Sequence, residues 1–254
     1  MALMASSPAV ALSPRQRAAL DALVDDLERL FGARLGSVLA YGLDRSAENN
    51  DNDGDLLHAL VLVDAIAFED LSRMVPLAPT WRKAGLAIPL VLTKHEFVRT
   101  LDVFPLEYGN IIASHVVVAG ENPFAGVHVA DADRRRGCEL EAKSHVIHLR
   151  EGFLDTRGDA RTIARLIAAS APAFRTVLAN IVRLERGPAF HQDALDDDSL
   201  AQLAEAMIGV PAGVVRDVLT SGRTATAAAD PSALLARYIE ASERVWRFVD
   251  GWKA

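Results

Sequence analysis

The chain has 254 residues, half of them hydrophobic, and 27 Lys and Arg against 34 Asp and Glu give it a formal net charge of −7. Both signs are interspersed, so the basic footprint that non-specific nucleic-acid binding requires is missing, and nucleic acid is not an expected partner. A single cysteine, Cys138, excludes an internal disulfide framework and a cysteine-based structural zinc site. No apolar run reaches the roughly 18 residues of a membrane span, so the expected setting is cytoplasmic, with no membrane partner.

Residues 1–12 read as a loose leader, apolar but without a basic n-region. Helical signals begin at Ser13, which can cap, with Pro14 suited to the first helical position and Gln16 completing a capping box. Leu20, Leu23, Val24, Leu27, Leu30 and Phe31 then form one apolar stripe, and Gly32 ends the helix. The short apolar run "LGSVLAYG" closes at Gly42 and is followed by a polar loop from Asp44 to Asp53. Next comes "LLHALVLV", a strand whose composition suits burial on both faces. These two strands are expected to be central neighbours.

Pro76 and Pro79 should break "FEDLSRMVPLAPTWRKAG" into two short helices. "AIPLVLT" reads as a third strand, and Thr93 with Glu96 makes a capping box that opens the helix "KHEFVRTL". After "DVFPLEYGNIIA", the run "HVVVAG" supplies a fourth strand, at an edge, before the turn "ENPFAG". Beyond Asp131 the strand signals stop. Helices are predicted over 131–155, 159–185, 197–208, 211–220 and 231–251, with Asp159 as one cap and Asp230 before Pro231 as another. Pro172 should kink the second of these. In the last, Leu234, Leu235, Tyr238, Ile239, Val245, Phe248 and Val249 give a wide apolar face that must pack against neighbours. The expected fold class is therefore α/β (α+β). An α/β domain spans 13–128, with a mixed sheet and flanking helices, and a helical bundle spans 129–254.

The chemistry-bearing candidates begin with Asp53 and Asp55. On an extended strand, residues two apart point the same way and sit roughly 6 to 7 Å apart, so both carboxylates could reach one or two Mg²⁺ ions holding a nucleotide's phosphates. Equally, "NNDNDGD" has the composition of a solvated turn, because Asn, Asp and Gly suit left-handed and Asx-turn conformations. Both readings stay open on composition alone.

The order of elements resembles the nucleotidyltransferase superfamily, the DNA polymerase β-like fold that includes aminoglycoside nucleotidyltransferases. "LAYGLDRS" stands where that superfamily has an apolar strand followed by Gly-Ser, and "DGDLLHALVLV" stands where it has the metal-binding Asp-x-Asp strand. "IPLVLT", "LDVFPLEYGNI" and "VVVAGENPFAGV" are similar to a group of bacterial proteins with that fold. The likeness covers residues 35–128, and "LEAKSHVIHLREGFL" extends it.

The resemblance implies Mg²⁺ and a nucleoside triphosphate as ligands. It also implies Asp53 and Asp55 as metal-binding and catalytic residues, with Gly42, Leu43, Asp44 and His58 around the phosphates. Leu43 stands where the superfamily has Ser. Aligned instead from the end of the strand, at Val63 and Asp64, the metal positions fall on Leu56 and His58. The superfamily's third carboxylate, the general base towards the attacking hydroxyl, has no counterpart in "IPLVLT". Losing such carboxylates removes the ion and the charge stabilisation that phosphoryl transfer needs.

Other candidates are weaker. His58 reads either as a core histidine or as a pocket residue. His145 and His148, with Glu141 one turn earlier, have spacing compatible with metal ligation, although the segment also reads as ordinary helix surface. Lys143 and Arg150 share a helix face and are expected to contact an anion or phosphate, since helices after the catalytic domain approach the nucleotide in the superfamily. The arginines of "DRRRG", 133–137, sit where the helix dipole disfavours them, so a contact to Asp131, Asp133 or Glu139 is expected. Glu107 and Tyr108 could line a cleft, while Phe104 and Leu106 could bury their segment against the sheet. No Walker loop, nucleophile elbow or dinucleotide fingerprint occurs.

The functional expectation is a nucleotidyltransferase-fold protein with an eroded metal site and a binding or regulatory role. The alternative is an active Mg²⁺-dependent enzyme that transfers a nucleoside monophosphate to a small-molecule or protein hydroxyl. A homodimer through the helical half is a further expectation.

Overall fold

The structure is a computed structural model, and it describes residues 12–42, 56–187, 195–224 and 229–252. Helix α1, Pro14–Phe31, starts as its sequence dictates: the Ser13 hydroxyl accepts from the Gln16 N–H, and the Gln16 side chain accepts from the Ser13 N–H. Its stripe of Leu20, Leu23, Leu27 and Phe31 is buried, and Gly32 ends it with a positive φ of 54°.

Four strands form one mixed sheet in the order β3-β2-β1-β4. Strand β1 (Leu35–Tyr41) runs antiparallel to β2 (His58–Val63) and to β4 (His115–Gly120), whereas β2 and β3 (Leu90–Thr93) are parallel. The two strands expected at the centre are there, and "HVVVAG" lies at an edge. Alternation along each strand separates two faces. Val38, Ala40, Ala59, Val61 and Val63 pack on one side with α1, Met74 and Trp81. Leu39, Leu60 and Leu62 pack on the other with Phe97, Tyr108, Ile111 and Phe124.

Two glycines permit a close approach at the β1–β4 border. A Cβ on Gly120, whose φ is +76°, would lie 2.1 Å from the Gly36 carbonyl oxygen. Nearby, the Ser37 hydroxyl donates to the Glu121 carbonyl at 2.7 Å.

Pro76 and Pro79 fall at the break between α2 (Phe68–Met74) and α3 (Ala78–Lys83). Asp70 fixes the start of α2. Its carboxylate accepts two 2.8 Å hydrogen bonds from Arg34 and one from the Ala67 N–H, and the Arg34 guanidinium above all holds it down at about 2. Helix α4 (Lys94–Arg99) carries the reciprocal Thr93–Glu96 cap. The segment after it forms α5 (Pro105–Ala113), which the sequence analysis leaves unassigned.

The chain divides into two compact units, 1–103 with 107–128 and 104–106 with 129–254. Leu106 is a correction to the sequence reading: it packs on the core of the helical unit, where a Cβ on Gly137 would touch it. Phe104 is 47% exposed, so neither residue buries the segment against the sheet.

The helical unit comprises α6 (Asp131–Asp155), α7 (Ala160–Arg186), α8 (Asp197–Ile208), α9 (Ala212–Thr224) and α10 (Pro231–Asp250). Asp159, Asp196 and Asp230 cap α7, α8 and α10 through the N–H groups of Thr162, Ser199 and Ala233. Helix α7 runs through Pro172 and buries Ile163, Ile167, Ala171, Phe174 and Leu178. The α10 residues Leu234, Leu235, Tyr238, Val245 and Val249 are buried against it. Arg136 pairs with Asp133, and Arg135 with Glu139, which compensates the arginines at the α6 N-terminus.

Candidate functional site

The end of the sheet at the β1–β2 connection is the candidate site, because the sequence reading gathers its residues there. Asp53, Asp55, Leu43 and Asp44 lie outside the described residues. Gly42 follows β1 with φ +69°, and a Cβ there would lie 3.7 Å from Cδ2 of His58. Gly42 and His58 are thus brought together.

His58 opens β2 opposite Tyr41 of β1, and Tyr41 lies opposite His115 of β4. Alternation places all three on the face of Leu39, Leu60 and Leu62, since Tyr41 lies two residues from Leu39, His58 two from Leu60, and His115 two from Val117, which packs in the same cluster. The result is a rung of three rings across three strands, each half-buried. The Tyr41 and His58 rings are 5.5 Å apart and tilted. His115 meets Phe124 edge-on at 4.8 Å, and its Nδ1 lies 3.1 Å from the carbonyl oxygens of both Ile111 and Ile112. Because both partners only accept, Nδ1 carries the proton, which fixes the ring's orientation.

Sequence reasoning missed Tyr41 and His115. The tyrosine ends one apolar run and the histidine begins another, but only the antiparallel register of β4 on β1 makes them neighbours.

The rest of this face is apolar where it is described. On β2 it continues through Leu60 and Leu62, and on β3 it presents Leu90 and Leu92, both packed in the same cluster. Of the two registers considered for the metal positions, one falls on Leu56 and His58, and the other falls outside the described residues. Magnesium demands near-octahedral oxygen ligation, usually through carboxylates and phosphates. Two imidazoles and a phenol do not meet that demand, so the described donors of this face do not fit Mg²⁺. Among the described residues, no group of three His, Cys, Asp or Glu side chains is arranged to hold a metal ion.

The second histidine pair does not converge either. His145 is buried, its Nε2 lying 2.8 Å from the Tyr238 hydroxyl, and its ring stacks on Phe174 at 5.6 Å. Burial holds its pKa down to about 4, with a smaller contribution from His148. His148 is exposed and pairs with Glu151. The same burial pushes the Cys138 thiol up to about 12, which leaves it a packed, unreactive group.

Lys143 and Arg150 belong to the helical unit, and both lean on α10. The Lys143 ammonium lies 3.5 Å from the centroid of the Trp246 ring, in an open groove of about 870 Å³ that Arg135, Glu139 and Leu140 also line. Arg150 donates to Glu243, which also accepts from Arg247.

A mixed four-stranded sheet with flanking helices, together with a helical bundle, is consistent with a nucleotidyltransferase-like fold. No protein-family model matches the chain, and no curated protein is similar to it in sequence. Among solved structures, it is similar to the spectinomycin adenyltransferase AAD(9) from Enterococcus faecialis, determined with ATP and spectinomycin. The TM-score is 0.55, the identity is 9%, and the likeness covers 90% of this chain and 98% of the other. At that identity the likeness establishes the fold and carries no residue roles.

Proposed function

We propose that this protein binds a nucleotide on a nucleotidyltransferase fold, without efficient transfer chemistry, and acts through binding or regulation. The observation that carries this reading is β3, which turns Leu90 and Leu92 to the face where the resemblance calls for a general-base carboxylate. A phosphoryl-transfer site works almost wholly by positioning and by stabilising charge, so an apolar strand at that position removes both the base and part of the charge stabilisation. The nucleotide itself is supported by the likeness to an adenyltransferase whose structure holds ATP.

The test is to mix the purified protein with ATP or GTP and Mg²⁺, with spectinomycin among a set of hydroxyl acceptors, and follow both heat of binding and pyrophosphate. Saturable binding with no pyrophosphate above the protein-free rate is expected. Steady pyrophosphate release with any acceptor would overturn the reading.

One observation favours the alternative: the likeness to a working transferase spans both units of this chain. If the protein is an enzyme, Asp53 and Asp55 hold Mg²⁺ and the superfamily's charge stabilisation is retained. Pyrophosphate release would then disappear in an Asp53→Ala/Asp55→Ala double variant.

A further inference from the structure

Helix α6 carries apolar residues on two opposite faces. One face, with Cys138, Ala142, Val146 and Leu149, is buried, and Cys138, Ala142 and Leu149 belong to the core of the helical unit. On the other, Leu140, Ile147 and Leu154 are 69%, 41% and 75% exposed. They are spaced by seven residues, and each such step turns back by only about 20°, so the three form one row along the helix. A helix that buries one apolar face and shows a second still has surface suited to a partner.

We infer that this row is the seam of a homodimer, in which α6 of a second copy of this chain lies alongside it, in parallel, about a two-fold axis. The dimer is independent of the nucleotide reading above.

Charge selects the occupant and its direction. Arg136, Lys143 and Arg150 each precede a row residue by four positions, which puts them about 40° to one side of the row. Glu151 follows Ile147 by four and lies as far to the other side, and Glu141 and Asp155, each one position after a row residue, lie further round on that same side. The seam thus has a basic flank and an acidic flank. A two-fold axis parallel to the helices brings the basic flank of each copy against the acidic flank of the other, as flanking charges do in parallel coiled coils. Antiparallel pairing would instead set basic against basic and acidic against acidic. A wholly acidic partner helix would oppose the acidic flank with like charge. Of these three occupants, the parallel copy alone matches both flanks.

The flanks are within reach of a partner. The Arg136, Arg150 and Glu151 side chains are more than half exposed, and their pairs with Asp133, Glu243 and His148 are surface contacts of the kind that contribute little. Beside the basic flank lies the open groove between α6 and α10, lined by Leu140, Arg136 and Lys143, with room for the second copy's acidic side chains. From Leu140 to Leu154 the seam is about 21 Å long. That is short for a permanent interface, so the dimer should be concentration-dependent, with a dissociation constant in the micromolar range.

The experiment is sedimentation velocity of the full chain from about 1 to about 200 μM. It is repeated for Ile147→Asp, for the basic flank reversed (Lys143→Glu/Arg150→Glu), for the acidic flank reversed (Glu141→Lys/Glu151→Lys), and for an equal mixture of the two reversals. Wild type should dimerise, and Ile147→Asp and each reversal alone should weaken the dimer by about tenfold or more. The mixture should regain it, because each flank then meets its opposite, and that recovery also shows both reversals to be folded. Direction is read from Leu154→Cys under mild oxidation with copper phenanthroline. The two copies of residue 154 are neighbours in a parallel pair and about 21 Å apart in an antiparallel pair centred on Ile147, beyond the reach of a disulfide. A self-linked dimer is expected.

A monomer at every concentration would overturn the inference. A dimer that Ile147→Asp and both reversals leave intact would overturn its assignment to α6. Linking of Leu140→Cys to Leu154→Cys in a mixture, with neither linking to itself, would overturn the parallel arrangement.

Discussion

His145 offers a prediction that can be worked through quantitatively. Its imidazole is buried, 9% exposed, with its Nε2 2.8 Å from the Tyr238 hydroxyl, so charging it in the folded state means desolvating a cation among Phe174 and Tyr238. Burial accordingly lowers its pKa from 6.5 to about 4. The unfolded chain therefore binds a proton more readily than the folded one at pH values between these two. A depressed folded pKa gives stability that is fully present above about 6.5 and is lost progressively as the pH falls towards 4.

At about 1.4 kcal/mol per pKa unit, this single group should cost the helical unit about 2 kcal/mol between pH 8 and pH 5, and about 3 kcal/mol by pH 4. Urea unfolding followed by far-ultraviolet circular dichroism, for wild type and His145→Gln at both pH 8 and pH 5, isolates the effect. Glutamine can still accept from Tyr238 but does not titrate, and every other titrating group is common to both proteins. Wild type should lose about 2 kcal/mol more than the variant on acidification. Parallel losses in the two proteins would refute the argument that His145 is held neutral by burial.

Three further outcomes follow from the packing. Gly120→Ala should destabilise the α/β unit by more than about 2 kcal/mol, read by scanning calorimetry, because a Cβ would lie 2.1 Å from the Gly36 carbonyl oxygen at a backbone φ of +76°. Asp70→Asn should lower stability at neutral pH. It should also flatten the acid limb between about 4 and 2, since the wild-type carboxylate is held from 3.8 down to about 2 by Arg34 and contributes only while it is ionised. Ser13→Ala should cost about 1 kcal/mol in a urea titration, with Ser13→Asp close to neutral, because only the cap to the Gln16 N–H is lost.

Much of the helical half is legible in the sequence because its signals are local. A capping side chain three residues before its N–H partner, a proline at the first helical position and a glycine after the last turn lie within one segment. Asp159 and Asp230 mark their helices on that basis. The strands are legible as apolar runs, and the prolines at 76 and 79 separate α2 from α3 for a local reason as well. Helix α5 is harder to read: Gly109 and the β-branched Ile111 and Ile112 weaken its propensity, and tertiary packing of Tyr108 and Ile111 against the sheet face decides it.

The candidate site is only partly legible because it depends on register. The sequence reading reaches Gly42 and His58 through the resemblance, but the partnership of His58 with Tyr41, and of Tyr41 with His115, comes from pairing residues far apart in the chain. A shift of one residue would turn every one of those rings to the opposite face. The pairing of Lys143 with Trp246 and of Arg150 with Glu243 is non-local in the same way.

The central claim, that the fold binds a nucleotide without transferring it, is most directly tested by phosphorus magnetic resonance of ATP in the presence of the stoichiometric protein, Mg²⁺ and an acceptor. The account predicts shifted or broadened resonances for the bound phosphates and no pyrophosphate signal over hours. Growth of a pyrophosphate resonance, or phosphate resonances identical to those of free ATP, would contradict it.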